Sequence, residues 1–149
     1  MEIKNLFAPA VKQEVIERIN KLNPQSQRQW GKMDVAQMLA HLQLPIGIAF
    51  GTHRPKGSFL LRLIGPMFKS KLWEEKPYKH SLPTDPTFIM TGNTKDFAAE
   101  KNRLLDMINR FTEDNLSGER HPIFGRLTKE QWSKATWKHI DHHLKQFGA

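Results

Sequence analysis

Cysteine is missing from this 149-residue chain, and its absence excludes disulfides, thiolate zinc sites and cysteine nucleophiles. Any metal must then be held by His, Asp or Glu, and the default compartment is a reducing cytoplasm. Long apolar runs are missing too. The nearest approach, FLLRLIGPMF at 59–68, is roughly half of what a membrane span needs and is interrupted by Arg62 and a Gly-Pro pair. No transmembrane segment is expected, and the start, MEIKNLFAPAVKQEV, has no apolar run of signal-peptide length, so export is not expected either. Acidic residues are outnumbered, 15 against 23 Lys and Arg, for a formal charge of +8. Such a balance raises nucleic acid or anionic lipid as a partner, because clustered cations neutralise phosphates. The clustering is weak. Residues 51–80 hold Arg54, Lys56, Arg62, Lys69, Lys71, Lys76 and Lys79 against Glu74 and Glu75, and only Tyr78 among them is placed for base stacking. A solvated basic face is the simpler reading, and no nucleic acid is expected.

What the chain does have is helical periodicity. One domain, 1–149, is the expected organisation at this length. The first helix begins near Pro9, which suits a first turn, and carries Val11, Val15, Ile16, Ile19 and Leu22 until Asn23-Pro24 stops it. The second follows Asp34 as N-cap and runs to Gly51. The third opens at TGNTKDF, where Asn93 or Thr94 is the expected cap, and repeats Phe97, Leu104, Ile108 and Phe111. The fourth starts at LTKEQW, where Thr128 and Gln131 have capping-box spacing, and continues to Phe147-Gly148. The connector 52–92 carries five of the nine prolines and a short helix expected over Phe59–Trp73, broken at Gly65-Pro66; 121–128 reads as a turn. Nothing alternates strongly enough to build a sheet. The expected fold is all-α, an antiparallel four-helix bundle with a long crossover between helices two and three.

The last helix closes on WKHIDHHLKQFG, with His139, His142 and His143 in five positions. Trp137, Ser133, Ile140, Leu144 and Phe147 share one arc and form its core face. His139 and His143 lie together on one border of that arc, one turn apart, the geometry of a His-x-x-x-His metal clamp. His142 falls well round the helix beside Lys138 and Lys145 and is expected in solvent, and Asp141 reads as a surface charge. On helix two His41 falls within the apolar arc and should face the interior, where its nitrogens need hydrogen bonds or a ligand bond. Pro45, four residues on, cannot bond the His41 carbonyl and should kink the helix. Three inward histidines would bind zinc, with nickel and iron chemically reasonable, and leave a position for water or substrate as catalytic sites do. A hydrogen-bonded core network of the same three rings fits the spacing as well.

Three segments add to this: WGKMDVAQMLAHLQ at 30–43, TKDFAAEKNRLLDMINRF at 94–111 and HPIFGRLTKEQWSKATWKHIDHHLKQFG at 121–148. Together they resemble a bacterial family within the DinB/YfiT-like metalloenzyme superfamily, over nearly the whole chain and most weakly in 52–92. The resemblance implies a four-helix bundle, often a homodimer, with a divalent metal held by one His on helix two and a His-x-x-x-His pair on the last helix. By position these are His41, His139 and His143. The superfamily's last motif usually reads His-x-x-His-His-x-Gly-Gln; here it is HIDHHLKQ, with Lys145 in place of the glycine and Gln146 kept. That departure bears on a dimer contact or pocket wall and leaves the ligands alone. Relatives in the superfamily include thiol-dependent transferases, an isomerase and proteins called hydrolases by analogy, so the resemblance fixes no reaction.

The functional expectation is a metal-dependent enzyme that activates water or a low-molecular-weight thiol at its open position, for a small-molecule substrate. Gln146 is the candidate catalytic residue, expected to hydrogen-bond the activated water or the substrate. No carboxylate stands out as a general base. Trp132, beside His139 at the edge of the core stripe, reads as core, with a pocket wall as the alternative; Trp30-Gly31 is expected to pack the entrance to helix two; His121 lies near a turn, with an approach to the site from above as the lesser alternative; His53 and His80 are expected to lie in solvent. Two rivals stay open: a binding module that uses the basic 51–80 stretch and the Phe59–Phe68 apolar segment on an anionic partner or membrane surface, and a metal-free descendant with a histidine core network.

Overall fold

A computed structural model describes residues 1–56, 59–80, 89–90 and 92–149. The parts of the 52–92 connector at 57–58, 81–88 and 91 lie outside the described residues. The chain is all-α: among the described residues there are five α-helices and no strand beyond one isolated bridge between His121 and Gly125. No helix among the described residues is long and apolar enough to cross a membrane.

Helix α1, Pro9–Lys21, begins on the proline, whose missing N–H costs nothing in a first turn. It buries Val15 and Ile19. Helix α2, Val35–Phe50, is buried almost all round, as befits a central element. Its start is fixed by a full capping box, in which the Asp34 carboxylate accepts from the Gln37 N–H at 2.8 Å and the Gln37 side chain accepts from the Asp34 N–H at 2.9 Å. Its end is fixed by Gly51 at φ +76°, a left-handed cap that favours glycine. The interruption expected at Gly65-Pro66 divides α3, Phe59–Ile64, from a 3-10 helix, Gly65–Leu72. A Cβ at Gly65 would stand 2.5 Å from the Ile123 carbonyl oxygen, so only glycine lets this wall close on the 121–125 turn.

Helix α4, Phe97–Asn109, starts later than the expected Asn93 or Thr94 caps: Asp96 is the N-cap and accepts from the Ala99 N–H at 2.7 Å. Its ionised carboxylate is the better acceptor for a helix N-terminus. Helix α5, Lys129–Gln146, carries the expected Thr128–Gln131 capping box. Helix α2 packs on α4 and α5, and α1 packs on the same two, around one core that includes Ile19, Leu42, Leu104, Ile140 and Leu144.

Two charged residues of α5 depart from their expected place in solvent. Asp141 is 3% exposed, and its two oxygens accept from Arg18 Nη1 and Lys145 Nζ, each at 2.8 Å. Lys138 is 1% exposed and donates to the carbonyls of Lys71 and Glu74, both at 2.8 Å, with Nζ 4.3 Å from the Tyr78 ring centre. A buried charge is tolerated only with such partners. Lys138 thus ties the middle of the connector to α5, and Tyr78, tucked beneath it and bonded to the Leu72 carbonyl, is not displayed for base stacking.

Candidate metal centre

His41 comes from the middle of α2 and His139 and His143 from successive turns of α5, so two capped, packed helices set their separation. One nitrogen from each ring lies within 4.8 Å of the others. His41 Nε2 and His139 Nε2 are 3.1 Å apart. Two nitrogens bound to one ion at 2.0–2.1 Å, at right or tetrahedral angles, are separated by about 2.8–3.4 Å. The pair therefore already has the spacing of two ligands of a single ion.

The third ring is oriented from behind. Gln146 lies within 2.7 Å of the Trp30 carbonyl oxygen, which can only accept, so the facing atom is the amide nitrogen Nε2. That leaves Oε1 toward His143 Nδ1 at 2.8 Å, where Nδ1–H must donate. The His143 proton is thereby placed on Nδ1 and the Nε2 lone pair is free to bind a cation, the arrangement found behind metal-ligating histidines. The chain closes again where the Gln29 N–H donates to the Gln146 backbone carbonyl at 2.7 Å. Gly31, at φ +82°, makes room: a Cβ there would lie 2.4 Å from Gln146 Nε2. Gln146 is thus not placed to meet an activated water, as the sequence suggested; both ends of its amide are occupied, and it positions a ring.

Electrostatics agree with the donor set. Burial, with His143, His41 and His142 nearby, holds His139 well below the ordinary histidine value. Burial and then His41 push His143 down to about 3, against a smaller upward effect of its bond to Gln146. Both rings are neutral at physiological pH, as metal ligands must be.

The other singled-out residues divide. His142 is half-buried rather than solvated, with its ring 5.7 Å from Trp30 and 5.6 Å from Tyr78, and burial lowers its pKa. His80 remains exposed but stacks on Trp30 at 3.9 Å, so Trp30 covers the Gln146 side of the site. His53 packs against Gly47 and is only half-exposed.

Beside the triad opens a cavity of about 470 Å³. His41 and His139 form one part of its wall, Trp132 and His121 another, and Leu61, Phe68 and Leu72 of the connector close it. Tyr78 also lines it, which makes the Lys138 clasp a support of the wall. The sequence offered Tyr78 only for base stacking and gave Lys138 no part in a site, because the carbonyls that hold Lys138 come from a distant segment. The Trp30 carbonyl, a backbone group, carries no sequence signal at all.

The sequence model of a family described as Protein of unknown function (DUF1569) matches residues 4–149. No curated protein matches the chain, and no solved structure does.

Proposed function

The chain belongs to the DUF1569 family, and on that premise we propose, from its own residues, that it is a metal-dependent enzyme. His41, His139 and His143 hold a divalent ion, zinc, nickel or iron, and the substrate is a small molecule taken from the adjoining cavity. The observation that carries this is the convergence of three histidine nitrogens beside a largely apolar cavity. We read α1, α2, α4 and α5 as the antiparallel four-helix bundle of the DinB/YfiT-like superfamily, with the homodimer that resemblance implies. Two capping boxes and the placement of the histidines on α2 and α5 support that reading.

Once bound, such an ion lowers the pKa of water or of a small-molecule thiol at its open position and so supplies the nucleophile. The protein's own part is orientation and exclusion of water. Gln146 fixes the His143 tautomer, and α2 and α5 hold the His41 and His139 nitrogens at ligand spacing. Leu61, Phe68 and Leu72 shield the cavity, so interactions inside it act in low dielectric. Among the described residues that line the cavity there is neither Asp nor Glu, so none of these supplies a carboxylate as a general base. Thiol transfer, in which the thiolate itself attacks, is favoured over hydrolysis on that ground.

The test is the metal content of untagged protein, by inductively coupled plasma mass spectrometry, beside a His139→Ala, His143→Ala double variant. Close to one equivalent in the wild type and background in the variant is the expected result. No metal in either after incubation with zinc, nickel and iron would sink the reading.

A second reading has its own observation. Phe59, Leu60, Leu63 and Met67 are 81%, 62%, 65% and 79% exposed along the connector, beside Arg62, Lys69 and Lys71. An apolar face flanked by cations suits an anionic membrane surface. Flotation with phosphatidylserine vesicles, absent with phosphatidylcholine and abolished by Phe59→Ser with Met67→Ser, is expected if the protein works there.

A further inference from the structure

Charged residues make up 26% of the chain, yet no Asp, Glu, Lys or Arg is among the described residues that line the cavity. Without an ion on the histidines, a charged ligand entering it would lose its hydration without meeting a counter-charge from these residues. The polar groups of the wall are few. The Tyr78 hydroxyl donates to the Leu72 carbonyl at 3.4 Å, Thr136 is a buried residue of α5, and His41 and His139 belong to the metal centre.

His121 is different. Its Nδ1 faces the backbone N–H groups of Ile123 and Phe124, at 3.0 and 3.2 Å, and must accept from both. The ring proton is therefore on Nε2, and Nε2 has no hydrogen-bond partner among the described residues. The ring packs against Trp132 with centroids 5.4 Å apart, which fixes its plane. Burial and the neighbouring Arg54 push its pKa down to about 4, so it stays an uncharged donor at neutral pH. Trp132 and His139 are seven residues apart on α5, hence on one side of the helix and roughly 10 Å apart along its axis. His121 over Trp132 and the histidine triad thus stand at two ends of one cavity.

Resting on the metal-centre reading above, we propose that the substrate is an uncharged, mostly apolar molecule with a hydrogen-bond acceptor at the end remote from the metal, and that His121 Nε2–H binds this acceptor. The ring also borders an outer cleft with Arg62 and Arg120, so it stands where the cavity meets the surface. A substrate with a carboxylate would use those arginines instead, and the two cases rank simple probes differently.

Acetophenone, ethylbenzene and benzoate share a ring and differ in the acceptor and the charge. Calorimetric titrations of each, into EDTA-treated and into zinc-loaded protein, test the proposal together with a His121→Asn variant. The Asn carbonyl oxygen can still accept from the 123 and 124 N–H groups, and the residue is too short to present a donor where Nε2 stood. Acetophenone is expected to bind roughly fivefold more tightly than ethylbenzene, the effect of one net hydrogen bond. In EDTA-treated protein, where no cation can take its carboxylate, benzoate is expected to bind at least roughly tenfold more weakly than acetophenone, and this arm decides the ranking. In His121→Asn the preference for acetophenone disappears while ethylbenzene affinity is kept. Benzoate equal to or tighter than acetophenone overturns the proposal, as does a preference that survives in the variant, or no binding of any probe. If the variant does not fold, the wild-type ranking alone decides. The ranking in EDTA-treated protein does not need the ion, so the metal reading can fail on metal content while this ranking stands. Conversely, protein that takes up zinc yet ranks benzoate first in its EDTA-treated form retains the metal centre and loses this substrate class.

Discussion

Helix α5 buries polar groups on two flanks and treats them in opposite ways. On one, Asp141 and Lys138 are charged, and the protein fills their bonding capacity: Arg18 and Lys145 for the carboxylate, two backbone carbonyls and the Tyr78 ring for the ammonium. On the other, His139 and His143 are kept neutral and turn nitrogens toward His41 beside a cavity. Saturated partners mark groups that hold the fold. Neutral acceptors that converge on each other, with one oriented from behind by Gln146, mark a place prepared for something else. The two flanks should accordingly separate under mutation, one reporting on stability and the other on metal.

The largest effect is expected on the structural flank. Asp141→Ala leaves the Arg18 guanidinium, whose side chain is 14% exposed, without its carboxylate. Removing one partner of such a buried pair costs about 3 kcal/mol, measured by urea unfolding. Metal content per folded molecule should not change. A loss of metal equal to that of the triad variants would show that the flanks act as one unit and would break the comparison.

Next in size is Gln146→Ala, which acts on the metal flank. It removes the acceptor that fixes His143 and the donor to the Trp30 carbonyl. Loss of such an outer partner weakens metal binding by roughly 10- to 100-fold, or about 1.4–2.8 kcal/mol, read by competition with a chromogenic chelator. Unchanged affinity would mean that His143 needs no orientation, and the contrast would then rest on His41 and His139 alone.

The same division explains what the sequence could tell. Elements fixed by local chemistry were legible: α1 from Pro9, α2 from its Asp34 N-cap, α5 from its capping box, the break at Gly65-Pro66. The three histidines were legible because helical spacing alone puts His139 and His143 on one border and His41 on an apolar arc. The start of α4 was not, since Asn93, Thr94 and Asp96 all cap well and only Asp96 has its carboxylate on the Ala99 N–H. Groups whose burial depends on a distant partner were not legible either. Periodicity sends Asp141, Lys138 and His142 to water, and only Arg18 from α1, the carbonyls of Lys71 and Glu74, and Trp30 bring them in. Gln146 was singled out for its place beside the histidines, but its role depends on a backbone carbonyl 116 residues away in sequence.

The smallest effect is in the pH dependence of the metal-free protein, and it sharpens the comparison because it belongs to the neutral flank. Folding lowers the His143 pKa from 6.5 to about 3 and moves His139 in the same direction. On acidification the unfolded chain therefore takes up protons first. The stability that these neutral rings contribute is fully present above about pH 6.5 and is lost progressively as the pH falls from there toward 3. Between pH 7 and pH 6 the loss is under about 1 kcal/mol per ring. The urea midpoint of EDTA-treated protein should be flat above pH 7 and decline below 6.5, and zinc should steepen the decline, since a proton on any ligand competes with the ion. Part of the decline should persist in the His139→Ala, His143→Ala variant, because folding lowers the His121 pKa too, to about 4. If the variant declines as steeply as the wild type, the triad contributes none of it, and its rings are not the buried neutral groups that set this flank apart.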